Sequence, residues 1–174
     1  IKYVELNKTS KADSIINVFE INGNSAFYGA WYLNGNDGAS TASVVNIAKG
    51  GMTLNKILTL DSSFRQYWYS QFKPELVLFN AGTNDRLKIN EETFKNLLNE
   101  YIDDLLIASP KTNFIIVEPN QTADYKTSYA DDYTIVRKQI AKEKKINLLD
   151  IPKLIGNYDY FVEHNLMSDG VHPN

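Results

Sequence analysis

The sequence of 174 residues contains no cysteine and only two histidines. The lack of cysteine excludes disulfides, thiol catalysis and thiolate metal sites, and we predict no metal site and no cofactor. No apolar run approaches the roughly 20 residues that span a bilayer. A net charge of −3 argues against a general nucleic-acid binder, which needs a basic surface. The opening residues show no signal pattern, so the sequence leaves the compartment open.

The composition is that of a soluble globular protein, with 43% hydrophobic and 22% charged residues. A chain of this length fits one ordinary domain, which buries roughly 70% of the surface of its unfolded chain. No repeat or linker divides the sequence. We therefore expect a single domain over residues 1–174, with residues 1–14 as a candidate tail of a preceding segment.

Short apolar runs alternate with longer helical patterns along the chain. This alternation indicates parallel strands with helices on both faces of the sheet. We predict an α/β fold, a three-layer flavodoxin-like sandwich with a five-stranded parallel sheet. The predicted strands are 14–21, 43–48, 75–80, 113–119 and 146–151, and the predicted helices are roughly 53–72, 91–108 and 127–145.

Apolar side chains recur at helical spacing in two of the predicted helices. The pattern over 91–108 predicts a stripe that packs on the sheet. In the first helix, Phe64, Trp68 and Phe72 follow one another at i, i+4 and i+8, which predicts that they belong to the core.

Polar, glycine-bearing segments follow four of the predicted strands. Ligands of open parallel sheets bind outside the carboxyl ends of the strands, so these segments form the candidate site. They are NGNSAFYG (22–29), KGGMT (49–53), AGTNDR (81–86) and, after a loop, SDGVHPN (168–174).

These segments contain the parts of a nucleophilic site. Asp169 and His172 lie on one turn, where an aspartate can fix the imidazole tautomer and leave the other ring nitrogen to take a proton. Ser25 is the candidate nucleophile that this base serves. We expect Ser25, Gly51 and Asn84 to form the oxyanion hole, with the Gly51 backbone N–H and the Asn84 side-chain amide as donors.

Several of these assignments have rivals. Ser14 is the alternative nucleophile, but it begins a predicted strand instead of following one. His164 is the alternative base, with the poorly directed neighbour Glu163 as its partner. Asn84 could instead cap the turn after its strand, and we expect Asp85 to hold that loop rather than act as an acid.

The motifs resemble those of the SGNH (GDSL-type) hydrolases from about residue 15 to the end of the chain. The first block is similar to Gly23-Asn24-Ser25 followed by Gly29. The second is similar to the segment VVNIAKGGMT, which contains Gly51. The third and last blocks are matched fully by the run from Gly82 to Asp85 and by the run from Asp169 to Pro173.

Two features depart from that family. Asn24 stands where the family usually has aspartate, although that aspartate is neither the nucleophile nor the base. The family also continues past its histidine into a helix that packs on the sheet, and we expect this C-terminal helix to be missing from residues 1–174.

The resemblance and the residues together predict a metal-independent serine esterase that works through an acyl-enzyme. Tyr28 and Trp31 follow the nucleophile and are candidates to line a sugar or acyl pocket. The expected substrate is a small acyl ester or an O-acetylated glycan. The alternatives are a lipase or thioesterase of the same family, or a catalytically silent binding or adhesion module. A polar rim favours the carbohydrate; it comprises Asn22, Asn24, Asn34, Asn36, Asp37, Lys49, Asp85 and Arg86.

Overall fold

A computed structural model describes residues 46–86, 88–124 and 128–174. The chain divides into two compact units, residues 1–47 and residues 48–174, and nearly all described residues belong to the second. The prediction of one domain over the whole chain stays a prediction. Among the described residues, no helix is long and apolar enough to cross a membrane.

In the described part of the second unit, three parallel strands form a sheet. They are β1 (Leu76–Phe79), β2 (Asn113–Glu118) and β3 (Asn147–Asp150), in the order β1-β2-β3. Leu76 pairs with Asn113, and Ile115 pairs with Asn147. Because the strands are parallel, their carboxyl ends lie at one edge, and the loops that follow them share that edge. The predicted strands at 75–80, 113–119 and 146–151 are thus confirmed.

The described part of the chain contains three strands and not the predicted five. The predicted strand at 14–21 lies outside the described residues, so the flavodoxin-like winding stays a prediction. The predicted strand at 43–48 is wrong over its described part, because residues 46–48 lie in no strand. All three are exposed, Ile47 to 75%, so the apolar run has no buried face there to stabilise a strand.

Six helices occur in the described residues. The prediction over 91–108 is confirmed, and the one over 127–145 is confirmed with nearly the same ends. The predicted helix at 53–72 is two helices, because Asp61 caps the second by accepting from the Ser63 N–H at 2.9 Å. The helices are α1 (Leu54–Ile57), α2 (Ser62–Phe72), α3 (Glu91–Ala108), α4 (Ser128–Lys144), α5 (Ile151–Leu154) and α6 (Tyr158–Glu163).

The core lies between one face of the sheet and helices α3 and α4. Ring stacking joins the two helices, since Phe94 and Tyr133 are nearly parallel with centroids 4.0 Å apart. The predicted stripe on α3 supplies much of this core. Its fully buried or nearly fully buried members are Phe94, Leu98, Ile102 and Leu105, and Ile116 and Ile140 meet them from β2 and α4.

The prediction that Phe64, Trp68 and Phe72 belong to the core is wrong. Phe64 and Trp68 are half-buried and Phe72 is 39% exposed, and the three form a row of ring contacts along α2. The buried residue of this helix is Arg65, which donates from Nε to Asp104 Oδ2 of α3 at 2.7 Å. An ion pair, which no apolar pattern reveals, therefore decides which face of α2 packs inward.

A second buried ion pair supports the carboxyl edge of the sheet. Arg137 of α4 is 3% exposed, and its Nη1 lies 3.0 Å from Oε2 of Glu118, the last residue of β2. Its Nη2 donates to the Ala81 carbonyl at 2.7 Å, just after β1. Burial lowers the pKa of Arg137, although the Glu118 carboxylate acts in the opposite direction. One guanidinium thus connects α4 to the ends of two strands.

The Arg137 pair gives a prediction for stability. Arg137→Gln leaves the Glu118 carboxylate buried without its cation, so we expect the free energy of unfolding to fall by about 3–5 kcal/mol. Urea unfolding followed by circular dichroism measures this change. Lys138→Gln is the control, because it breaks only the pair of the half-exposed Lys138 with Asp150 (3.3 Å) and should lower the free energy of unfolding by about 0–1 kcal/mol. Equal losses in the two variants would contradict a supporting role for Arg137.

Candidate active site

Asp169 and His172 contact each other directly. His172 Nδ1 lies 2.9 Å from Asp169 Oδ2. The other carboxylate oxygen, Oδ1, accepts from the backbone N–H groups of Val171 and His172, each at 2.7 Å. A carboxylate only accepts, so Nδ1 carries the hydrogen and Nε2 is left with its lone pair. The predicted pair therefore has the geometry of a base and the acid that orients it.

The same hydrogen bonds set the charge of Asp169. Donation from the His172 ring, and then from the backbone N–H groups of His172 and Val171, lowers the pKa of Asp169 to about 2. The side chains of Asp169 and His172 are 56% and 73% exposed, so burial has little part in this shift. Asp169 is therefore an anion across the range in which proteins are normally stable.

Hydrogen bonds hold the turn in its place. Ser168 closes it, since its N–H and its Oγ both donate to the His172 carbonyl at 2.8 Å. The loop after β2 fastens it to the rest of the unit: the Ala123 N–H donates to the Gly170 carbonyl at 2.7 Å, and Asn120 Nδ2 donates to the Val171 carbonyl at 3.3 Å.

The two predicted oxyanion donors come from loops that touch. Gly51 has a φ of 69° in a turn closed by the Met52 N–H and the Lys49 carbonyl at 3.2 Å, and this left-handed conformation favours glycine. Asn84 Nδ2 donates to the Met52 carbonyl at 3.0 Å, and its amide has a second N–H to offer. Within the described residues, the Gly51 N–H makes no hydrogen bond.

Asp85 connects the Asn84 loop to the start of α1. Its side chain is 1% exposed, and Oδ1 accepts from the Leu54 N–H at 3.0 Å, at the start of α1. Burial raises the pKa of Asp85, against the effect of this hydrogen bond. These contacts agree with the prediction that Asp85 holds the loop. They join the Asn84 loop to the Gly51 segment, which runs directly into α1.

The alternative base has different surroundings. His164 is the C-cap of α6, and its Nδ1 lies 2.9 Å from the Tyr160 carbonyl, so a backbone oxygen and not Glu163 is its partner.

Four predicted site residues lie outside the described residues: the nucleophile Ser25, its rival Ser14, Tyr28 and Trp31. In the described part of the chain, no cluster of three or more carboxylate or imidazole side chains is arranged to hold a metal ion.

The loop at 119–124 is a part of the site that the sequence analysis did not find. It contributes Asn120 and Ala123 to the Asp169–His172 turn, and it also contains Asp124, which pairs with Arg86. The signal was present, because this polar segment directly follows a predicted strand, as the other site segments do. It differs from those segments in having no glycine.

The profile of the GDSL-like lipase/acylhydrolase family matches residues 13–174. The chain belongs to this family. The match confirms the resemblance that the motifs predicted, and it covers all four motif blocks of the GDSL-type chain. No curated protein sequence matches the chain significantly.

Solved structures share the α/β fold of this GDSL-family chain. A carbohydrate esterase of family 3 from Talaromyces cellulolyticus is 19% identical, with a TM-score of 0.54 over 71% of this chain. A peptidoglycan O-acetylesterase is 12% identical, with a TM-score of 0.60 over 71%. The psychrotrophic esterase EstA from Pseudoalteromonas sp. is 21% identical, with a TM-score of 0.58 over 75% of this chain and 67% of its own. The match spans 59% and 39% of the first two proteins.

The Asp169–His172 contact gives a prediction for pH. Because the folded pKa of Asp169 lies below its ordinary value, the contact is complete above about pH 4 and is lost as pH falls toward 2. Carboxyl-carbon NMR should give a midpoint of about 2 for Asp169 in the wild-type protein. In His172→Ala the midpoint should rise, since the largest cause is removed. An unchanged midpoint would show that the imidazole does not hold the carboxylate.

Proposed function

We propose that this chain is a metal-independent serine esterase that works through an acyl-enzyme. The hydrogen-bonded Asp169–His172 pair, in a member of the GDSL-like lipase/acylhydrolase family, is the observation that carries this proposal. Ser25 is the nucleophile, because it occupies the serine position of the first family motif. We also propose a flavodoxin-like winding of the sheet within one domain.

The contacts of His172 explain how it acts as the base. Nδ1 is held by Asp169, so the lone pair of Nε2 accepts the hydroxyl proton of Ser25 as that oxygen attacks the ester carbonyl. The Asp169 anion then stabilises the imidazolium, which returns the proton to the leaving alcohol. Water, activated by the same nitrogen, releases the acid and restores Ser25.

The oxyanion is held by donors on two touching loops. The Gly51 N–H and the second N–H of Asn84 are the donors, with the Ser25 N–H as a third. The Met52 carbonyl accepts one hydrogen of the Asn84 amide and so limits its rotation. A donor fixed in advance stabilises the developing charge without a cost of reorganisation.

The substrate class we propose is an O-acetylated carbohydrate. The rim is polar: Asn84, Arg86 and Asn120 follow β1 and β2 at the carboxyl edge of the sheet. Such a rim suits a small acyl group on a hydrogen-bonding alcohol better than a long acyl chain. Tyr28 and Trp31 are the candidates to stack on a sugar face. Two structures that share the fold are named as a carbohydrate esterase and a peptidoglycan O-acetylesterase.

Asn24 favours a second candidate function, a silent binding module on the same fold. It replaces an aspartate of the first motif directly before the proposed nucleophile. Because that aspartate is neither nucleophile nor base in the family, we favour the enzyme. The two functions differ in whether any ester is hydrolysed.

The first experiment is hydrolysis of p-nitrophenyl acetate. We expect activity in the wild-type protein and a loss of about 1,000-fold or more in His172→Ala, because the serine then has no base. His164→Ala is the matched control and should retain wild-type activity. Wild-type protein no faster than His172→Ala would favour the binding module.

A second experiment tests the substrate class. Turnover should fall along a series of p-nitrophenyl esters from acetate to octanoate, because the polar rim suits a small acyl group better than a long chain. Acetate release from O-acetylated polysaccharides, measured beside the series with Ser25→Ala as blank, should exceed that blank. A preference for octanoate without acetate release from any glycan would establish a lipase instead.

A further inference from the structure

An ion pair joins the loop after β1, which carries Asn84, to the 119–124 loop, which binds the Asp169–His172 turn. Arg86 lies two residues after Asn84, in the loop after β1, and Asp124 ends the 119–124 loop after β2. The guanidinium contacts the carboxylate at two points, Nε to Oδ2 at 3.1 Å and Nη2 to Oδ1 at 2.8 Å. The side chains are 13% and 35% exposed, so water screens them only in part.

The Asp124 side of the pair leads directly to the turn with the proposed base. Ala123, the preceding residue, donates its N–H to the Gly170 carbonyl at 2.7 Å, between Asp169 and His172. Thr122 donates from Oγ1 to Asp124 Oδ1 at 2.6 Å, which fixes the carboxylate within its own loop. Although partial burial opposes ionisation, the hydrogen bonds from Thr122 and Arg86 lower the pKa of Asp124.

We propose that Arg86 and Asp124 are positioning residues that keep the His172 turn in register with the Asn84 loop. The contacts run without a break: Arg86 binds Asp124, the adjacent Ala123 binds Gly170, and Gly170 lies in the Asp169–His172 turn. This inference rests on the proposed function, in which His172 and Asn84 act on the same reacting group. The positioning role acts through the His172 turn and is separate from any contact of Arg86 with a carbohydrate at the rim, which p-nitrophenyl acetate does not contain.

The turn needs such an outside support. Its own hydrogen bonds, from Ser168 and to Asp169, fix its shape but not its place in the protein. Asp169 and His172 are mostly exposed, so packing does little to fix them. A two-point arginine–carboxylate contact fixes direction as well as distance, unlike a single hydrogen bond. A base displaced by about 1 Å from its reacting partner costs up to about 100-fold in rate.

The kinetic test compares Arg86→Gln, Asp124→Asn and the double variant on p-nitrophenyl acetate. We expect each single variant to lose about 10- to 100-fold in kcat with little change in KM, because alignment and not substrate binding is disturbed. The double variant should be no worse than either single one, since each substitution already breaks the same link. Arg86→Lys keeps the positive charge but cannot make the two-point contact, so it should lose less kcat than Arg86→Gln.

The control is an ion pair between two helices of the same unit. Lys144→Gln with Asp103→Asn breaks a 2.5 Å contact between α4 and α3 that shares no residue with the candidate site. This control should leave kcat unchanged. Wild-type kcat in Arg86→Gln, or additive losses in the double variant, would overturn the proposal.

A second readout does not depend on activity. NMR hydrogen exchange of the Ala123 amide, which donates to the Gly170 carbonyl of the turn, should become about 10-fold faster in Asp124→Asn, while the Leu98 amide in α3 exchanges as before. Equal acceleration at Leu98 would indicate general destabilisation and overturn the positioning role. If wild-type protein hydrolyses no ester, the proposed function fails, and the exchange data alone decide whether the pair holds the turn.

Discussion

The carboxyl edge of the sheet depends on the contacts of the buried Arg137 guanidinium. A buried cation is unfavourable unless it is paired and hydrogen-bonded, and Arg137 pairs with Glu118 at the end of β2 and donates from Nη2 to the Ala81 carbonyl after β1. The arrangement demands a glycine at position 82, where φ is 108° and an added Cβ would lie 2.9 Å from Phe94 Cζ. The loop that carries Asn84 therefore starts from a fixed point.

Charged and capping groups, more than apolar packing, shape the loops at the carboxyl edge of the sheet. Asp85 reaches down to the start of α1 and so sets the distance between the Asn84 loop and the Gly51 turn. The Asp169–His172 turn is exposed and is shaped by its own hydrogen bonds. Groups held in this way suit the proposed oxyanion site, because their dipoles are oriented before the substrate arrives.

The sequence predicts those features that depend on local pattern. Strands β1 to β3, helix α3 and the Asp169–His172 contact all follow from short-range spacing. The inward face of α2 does not follow from such spacing. The pattern of Phe64, Trp68 and Phe72 predicts one face, but Arg65 turns inward because it pairs with Asp104, which is distant in the sequence. The 119–124 loop likewise owes its importance to partners distant in sequence. Long-range polar contacts leave no periodic signal, so they become visible only in the fold.

The proposed function depends on Ser25 as a nucleophile that His172 activates. Reaction with a fluorophosphonate, followed by peptide mass spectrometry, tests it most directly, because the reagent forms a stable bond only with an activated serine. We predict a single adduct on Ser25, which is absent in Ser25→Ala, slowed in His172→Ala and unchanged in Ser14→Ala. An adduct that persists in Ser25→Ala, or forms as fast without His172, would contradict the account.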